Sequence, residues 1–256
     1  MNNNNVETMV APGTPADRAE RLTETIRDQS HPNLRPRDSA TLILIDRVTP
    51  VPKVLLGRRH ASHRFLPGKF VFPGGRVEIT DRKMPTAAPL HAGDTTRLMN
   101  RVERPSIAKA AGFALAAIRE TYEETGLMLG TRVASGVNPP GAWRAFAEAG
   151  ILPDLSAMHF VARAITPPNR PRRFDSRFFI ADISAVAHRA EGFVGADKEL
   201  VELVWMPINE ARRLDIPGIT AIVLEELQDR IADGMSHDHA VPFYRMLHKR
   251  FLREVL

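Results

Sequence analysis

Apolar residues form short unbroken runs near the start of the chain and recur at helical spacing in its middle. Thr41-Leu42-Ile43-Leu44-Ile45 is a continuous aliphatic run, the pattern of a strand covered on both faces. Lys53-Val54-Leu55-Leu56-Gly57-Arg58 follows a Pro-bounded turn and predicts its partner. Lys69-Phe70-Val71-Phe72 predicts a third short strand, ending at Pro73-Gly74-Gly75. Residues 82–105 show no periodicity and read as a long surface insertion. Ile107, Ala111, Leu115, Ile118 and Tyr122 then mark a helix over 107–125. Ser106 is placed to cap it and Gly126 to stop it in the left-handed region.

A short helical segment is expected over 142–149, then strands over 159–166 and 174–183 joined by the turn-rich Pro167-Pro168-Asn169-Arg170-Pro171. Leu200 to Trp205 reads as another strand, Pro207 to Glu210 as a helix start, and Ile219 to Ile231 as an amphipathic helix. Phe243, Leu247 and Phe251 beside Arg245, His248, Lys249, Arg250 and Arg253 predict a last basic helix docked on the domain. Strands and helices mix without strict alternation, so the fold class is α/β (α+β), a mixed sheet between helices. The expected divisions are a mobile N-terminal extension over 1–37 with a surface helix from Ala16 to Arg27, a central domain over 38–235, and a C-terminal amphipathic helix over 236–256.

Composition narrows the chemistry. With no cysteine among 256 residues, disulfides, thiol nucleophiles and Cys-based zinc sites are excluded. A net charge of +5 suits an anionic substrate without demanding nucleic acid. Two Trp and two Tyr leave little for base stacking, so no nucleic-acid partner is expected. The Asn-rich start lacks an apolar signal core, no run approaches the ~18 apolar residues of a membrane span, and the closing Arg253-Glu254-Val255-Leu256 is not a Ser-Lys-Leu address. The expectation is a cytoplasmic protein without a membrane span, with a homodimer left open. His60, His63 and His159 are neither clustered nor at zinc spacing, and read as surface or core residues.

The stretch Arg119-Glu120-Thr121-Tyr122-Glu123-Glu124-Thr125-Gly126-Leu127 carries the chemistry. Its glutamates share one helix face at spacings of three and four. They repel one another near a helix C-terminus, where the macrodipole also disfavours anions. A divalent cation reverses the sign of both effects.

With Pro73-Gly74-Gly75, this stretch resembles the Nudix box, G-x5-E-x7-R-E-U-x-E-E-x-G-U with U apolar. The second half is present with only Thr121 departing from the aliphatic pattern. After five intervening residues, Asp81 stands where the box has Glu, and 37 residues rather than seven separate Asp81 from Arg119. The box is split by an insertion, and Asp81 either replaces its first glutamate or that glutamate is absent. Leu55-Leu56-Gly57-Arg58-Arg59-His60, Arg64, Gly68 and Phe72-Pro73-Gly74-Gly75 are similar to the coenzyme A diphosphatase signature. Gly57 and His60 depart from it. The split box and Pro171 to Phe179 look most like the peroxisomal-type branch and its bacterial relatives.

The resemblance implies a Nudix fold and hydrolysis of a nucleoside diphosphate linked to another group, aided by Mg2+ or Mn2+. Oxygen ligands suit both ions. It implies Glu120 and Glu124 as principal metal ligands, with Glu123 a third ligand or water-orienting base. Arg119 fixes Glu123, and the Gly75 carbonyl is a further ligand. Gly74 and Gly75 let backbone approach the phosphates, Arg59 and Arg64 act as phosphate clamps, and Arg173 and Arg177 contact substrate. Glu202 is the extra carboxylate such enzymes take from a late strand. The leading substrate is coenzyme A or an acyl-CoA, cleaved to 3′,5′-ADP and (acyl-)4′-phosphopantetheine. ADP-ribose or another nucleoside diphosphate derivative is the alternative, and a non-catalytic binding module of the same fold is the alternative of another class.

Overall fold

The structure, a computed structural model, describes residues 13–25, 30–63, 65–134, 139 and 141–256. The apolar run of β1 (Arg37–Asp46) alternates across its sheet. Leu42 and Leu44 enter one core, and Ile43 and Ile45 enter the other. This is why the run shows no polar alternation. β2 (Lys53–Arg59) pairs antiparallel with β1, and the short β3 (Phe70–Val71) pairs with β2. β4 is Gly74–Arg76, a strand the sequence pattern did not mark, aligned antiparallel on β1 with Ala40 opposite Gly75.

Between β4 and the main helix lies the insertion. It is less loop-like than expected, holding a 3-10 turn at Asp81–Lys83 and a helix, α2 (Ala92–Met99), counting Pro15–Glu24 as α1. Leu90 and Leu98 are buried, so this segment is part of the core. α3 (Ile107–Thr125) has its predicted ends: the Ser106 hydroxyl accepts from Lys109 N at 3.1 Å, and Gly126 has φ 76°. Ile107, counted in the apolar stripe, is 71% exposed.

After α3 come two small ribbons. β5 (Leu127–Leu129) pairs with β10 (Val186–Arg189), and β6 (Thr131–Arg132) pairs with β7 (Ile151–Leu152) beyond α4 (Arg144–Glu148). β8 (Met158–Ile165) and β9 (Phe174–Asp182) are antiparallel, and β9 runs parallel to β1. β11 (Leu200–Pro207) closes one edge against β2. The helix expected from Pro207 reduces to a 3-10 turn at Ala211–Arg213, followed by α5 (Gly218–Ala232).

The C-terminal amphipathic helix expected over 236–256 is not formed. β12 (Pro242–Leu247) and β13 (Arg250–Val255) make a hairpin, and β12 extends the sheet beside β8. Phe243, Leu247 and Phe251 are four apart, and an even spacing satisfies strand alternation as well as a helical stripe. His248 and Lys249, with φ 48° and 64°, form the two-residue turn whose twist suits a hairpin. The sheet order is therefore β11-β2-β1-β9-β8-β12-β13, with α3 on one face and α5 and α1 on the other.

The described part of the N-terminal extension is docked rather than mobile. Arg18 of α1 is buried, and it meets Glu225, Glu226 and Asp229 of α5 at 3.3, 3.0 and 2.6 Å. The rest of that expectation concerns residues 1–12 and 26–29, outside the described residues. Among the described residues no helix is long and apolar enough to cross a membrane.

Candidate functional site

The last turn of α3 lies under the β4 segment, which brings the glutamates to the glycines. Gly74 N donates to Glu124 Oε2 at 3.3 Å. A Cβ on Gly75 would stand 2.3 Å from Glu120 Oε2, and one on Gly74 would stand 2.6 Å from the Ala40 carbonyl oxygen. Both positions therefore need glycine for close approach. Together these residues line a cleft of about 630 Å3 that also holds Arg59, His63, Glu78 and Glu199.

Burial governs the charge state of the cluster. Glu124 is 6% exposed, and burial, with nearby Glu199, pushes its carboxyl well above the ordinary range. Glu120 is pushed up to about 7, again chiefly by burial, while Arg119 pulls the other way. Glu123, whose side chain is 37% exposed, is raised in the same direction, with partial desolvation the main cause and Arg119 opposing it. Acidic side chains so desolvated and so close are costly alone, and a hard cation stabilises all of them at once. The donor set is oxygen only, which fits Mg2+ or Mn2+ rather than zinc.

Arg119 is the keystone. Its Nη1 donates to Glu120 Oε1 and to Glu123 Oε2, each at 2.9 Å. Nε and Nη2 donate to the two oxygens of Asp81 at 2.8 and 3.1 Å. Asp81 is fully buried and accepts also from Trp143 Nε1 at 3.2 Å and Glu78 N at 2.7 Å. The residue six beyond Gly75 thus anchors the arginine that orients the glutamates.

Arg59 points into the cleft, 3.9 Å from Glu124 Oε1 and 3.0 Å from Glu199 Oε1. Its Nη1 lies 2.8 Å from His63 Nδ1. Arg64 lies outside the described residues. The late carboxylate in the cleft is Glu199, which immediately precedes β11. Glu202 instead pairs with exposed Arg58 at 2.8 Å, because β2 turns successive side chains to opposite faces. Arg177 is 1% exposed, held by Asp38 at 2.7 Å and stacked 3.9 Å over Phe113, so it cannot reach a ligand. Arg173 sits before β9, donating to Thr166 O at 3.1 Å and Leu34 O at 2.6 Å outside the cleft; its neighbour Arg172 lines the cleft instead.

Glu78 was not anticipated; its one available signal is position, three residues beyond the glycines. His159 is also misread by spacing. It forms a cluster with Asp94 and His237, stacking on the His237 ring at 3.9 Å. His237 Nδ1 lies 2.8 Å from Asp94 Oδ2. The insertion helix brings Asp94 there, which the sequence spacing could not reveal.

No protein-family profile matches the chain. Nudix hydrolase 7 of Caenorhabditis elegans is 28% identical over 56% of the chain. Acyl-coenzyme A diphosphatase NUDT19 of Gallus gallus is 27% identical over 71% of it. The matched regions span 43% and 64% of those relatives' lengths. A crystal structure of a NUDIX hydrolase from Alicyclobacillus acidocaldarius superposes with a TM-score of 0.54 at 27% identity, covering 77% of this chain and 96% of that one.

Proposed function

The chain belongs to the Nudix hydrolase superfamily, and we propose that it is a divalent-metal-dependent diphosphatase acting on coenzyme A or its thioesters. The products would be 3′,5′-ADP and (acyl-)4′-phosphopantetheine. The observation that carries the reaction class is the seating of Glu120 and Glu124 against Gly75 and Gly74. The coenzyme A assignment is supported by the Leu55 to Gly75 signature and by the likeness to the chicken acyl-CoA diphosphatase.

In this reading Glu120, Glu124 and Glu123 hold Mg2+ or Mn2+ with the Gly75 carbonyl. The ion supplies charge neutralisation on the diphosphate and acidifies bound water. Arg119 fixes the carboxylate rotamers, and Asp81 fixes Arg119. Arg59 is a fork of donors aimed at a diphosphate oxygen. Gly75 admits the Glu120 carboxylate and Gly74 the close approach of β1, which seats the metal-binding carboxylates against β4. Glu199 takes the place proposed for Glu202 as the extra carboxylate.

Initial rates with Mn2+ or Mg2+ on coenzyme A, acetyl-CoA, ADP-ribose, NADH and dinucleoside polyphosphates test it. Coenzyme A or its thioester should give the highest kcat/KM. Faster turnover of ADP-ribose would move the substrate to the alternative class. No metal-dependent cleavage of any of them would overturn the reaction itself.

A further inference from the structure

A second cavity of about 600 Å3 opens beside the glutamate cleft, lined by Arg35, Arg37, Arg76, Arg172 and Arg173 with no carboxylate among its lining residues. Arg76, Arg172 and Phe174 line both spaces, so the groove and the cleft are continuous.

The charges in this groove are poorly compensated. Arg35 pairs with Glu103 at 2.5 Å, both side chains exposed. Arg173 is satisfied by neutral acceptors, Asn33 Oδ1 and the Thr166 and Leu34 carbonyls. Among the described residues, the guanidinium groups of Arg37, Arg76 and Arg172 have no carboxylate in ion-pair reach. Elsewhere the buried arginines Arg18, Arg119 and Arg163 are each held by carboxylates. Clustered like charges repel, and a multivalent anion relieves that repulsion for all of them together.

The positions are set by rigid elements. In the sheet, Arg37 of β1 lies opposite Phe174 of β9, and Ser39 lies opposite Arg76 of β4. Neighbouring strands lie ~4.8 Å apart, so Arg37, Arg76 and the Arg172-Arg173 pair converge from adjacent strands. Phe174 packs edge-on against Phe65, centroids 5.6 Å apart, at the junction with the cleft.

We infer that this groove binds a phosphomonoester carried by the same substrate whose diphosphate lies in the glutamate cleft. The arginines make it a selector for a third phosphate, with Phe174 an apolar wall for the nucleoside between the two anionic ends. The inference rests on the diphosphatase reading and deepens it. A substrate with a 3′-phosphate engages both sites, whereas ADP-ribose or dephospho-coenzyme A engages one.

The full chain is assayed with Mn2+ on coenzyme A and dephospho-coenzyme A, which share the scissile diphosphate. The expected preference for coenzyme A in kcat/KM is about 10- to 100-fold, mostly in KM, the size of one or two charge-assisted hydrogen bonds. In Arg37→Gln and in the Arg37→Gln/Arg172→Gln pair the ratio should fall toward one, with dephospho-coenzyme A as the reference within each variant. Calorimetry without metal should show 3′,5′-ADP binding more tightly than AMP, with added salt weakening the difference. Equal kcat/KM on the two substrates, or variants that slow both equally, would overturn the groove assignment while leaving the diphosphatase intact. If neither substrate is cleaved, the diphosphatase reading fails. The calorimetry then decides the groove, which is refuted if 3′,5′-ADP binds no tighter than AMP.

Discussion

Asp81 grips Arg119 through both carboxylate oxygens, at 2.8 and 3.1 Å, in a site where Asp81 is 0% and Arg119 2% exposed. The two stand 38 positions apart in the chain, and the arginine's third nitrogen holds Glu120 and Glu123. Breaking a buried pair from one side leaves an uncompensated charge, which costs about 3–5 kcal/mol. Asp81→Ala should lose stability of that order in urea denaturation. Asp81→Asn, which keeps the shape, should fold better yet still lower kcat by loosening the glutamates. Wild-type kcat in Asp81→Asn would remove Asp81 from the positioning role.

Gly75→Ala places a methyl group 2.3 Å from Glu120 Oε2. The carboxylate must move to admit it, so metal-dependent activity should fall by on the order of 100-fold while the melting temperature changes little. Activity within twofold of wild type would show that the glutamate is not held against the glycine during turnover.

Glu124→Gln removes a buried acid whose charge the fold disfavours. Metal-dependent turnover should drop by about 100- to 1,000-fold. The metal-free variant should melt at or above the wild-type temperature above neutral pH, since functional groups are often held at a cost in stability. Both are read from one preparation, by product release and by scanning calorimetry. Unchanged turnover would take Glu124 out of the reaction.

Glu120 gives a pH signature. Its folded value of about 7 lies above the ordinary 4.5. Between those limits the unfolded chain ionises first, so the metal-free protein loses this contribution as pH rises from ~4.5 to ~7. Mn2+ requires the ionised form, so its rise in melting temperature should be larger at pH 8 than at pH 6. Glu120→Gln should shrink that difference. An increment independent of pH in the wild type would contradict the raised carboxyl.

His159 works in the opposite direction. Burial, aided by His237, holds it down to about 4 from an ordinary 6.5. Its contribution is complete above ~6.5 and is lost progressively as pH falls toward ~4, because the unfolded chain takes the proton first. Melting temperatures of wild type and His159→Gln between pH 7.5 and 5 should converge as the solution becomes acidic. Parallel curves would show that His159 does not titrate differently on folding.

Several elements were legible because local physics fixes them. Ser106 and Gly126 bound α3 as capping chemistry requires, and the Thr41 to Ile45 run marks the central strand. The glutamate cluster was legible because three acids on one helix face oppose both one another and the helix dipole. The terminal hairpin was not, since Phe243, Leu247 and Phe251 at a spacing of four fit either period. Arg177 and Glu202 were misplaced for a related reason. Strand alternation gives two faces, and it does not say which one a ligand occupies.

By itself, the sequence determined the helix that carries Glu120, Glu123 and Glu124, its ends at Ser106 and Gly126, and the doubly covered strand at the sheet centre. All of these follow from periodicity, capping and repulsion within a few residues of chain. Only the tertiary structure decided that Asp81 anchors Arg119, that Glu199 rather than Glu202 enters the cleft, and that arginines from β1, β4 and the start of β9 meet in one groove. Those pairings join residues from about 40 to 140 positions apart. Sheet register and helix packing set such distances, and no short-range pattern encodes them.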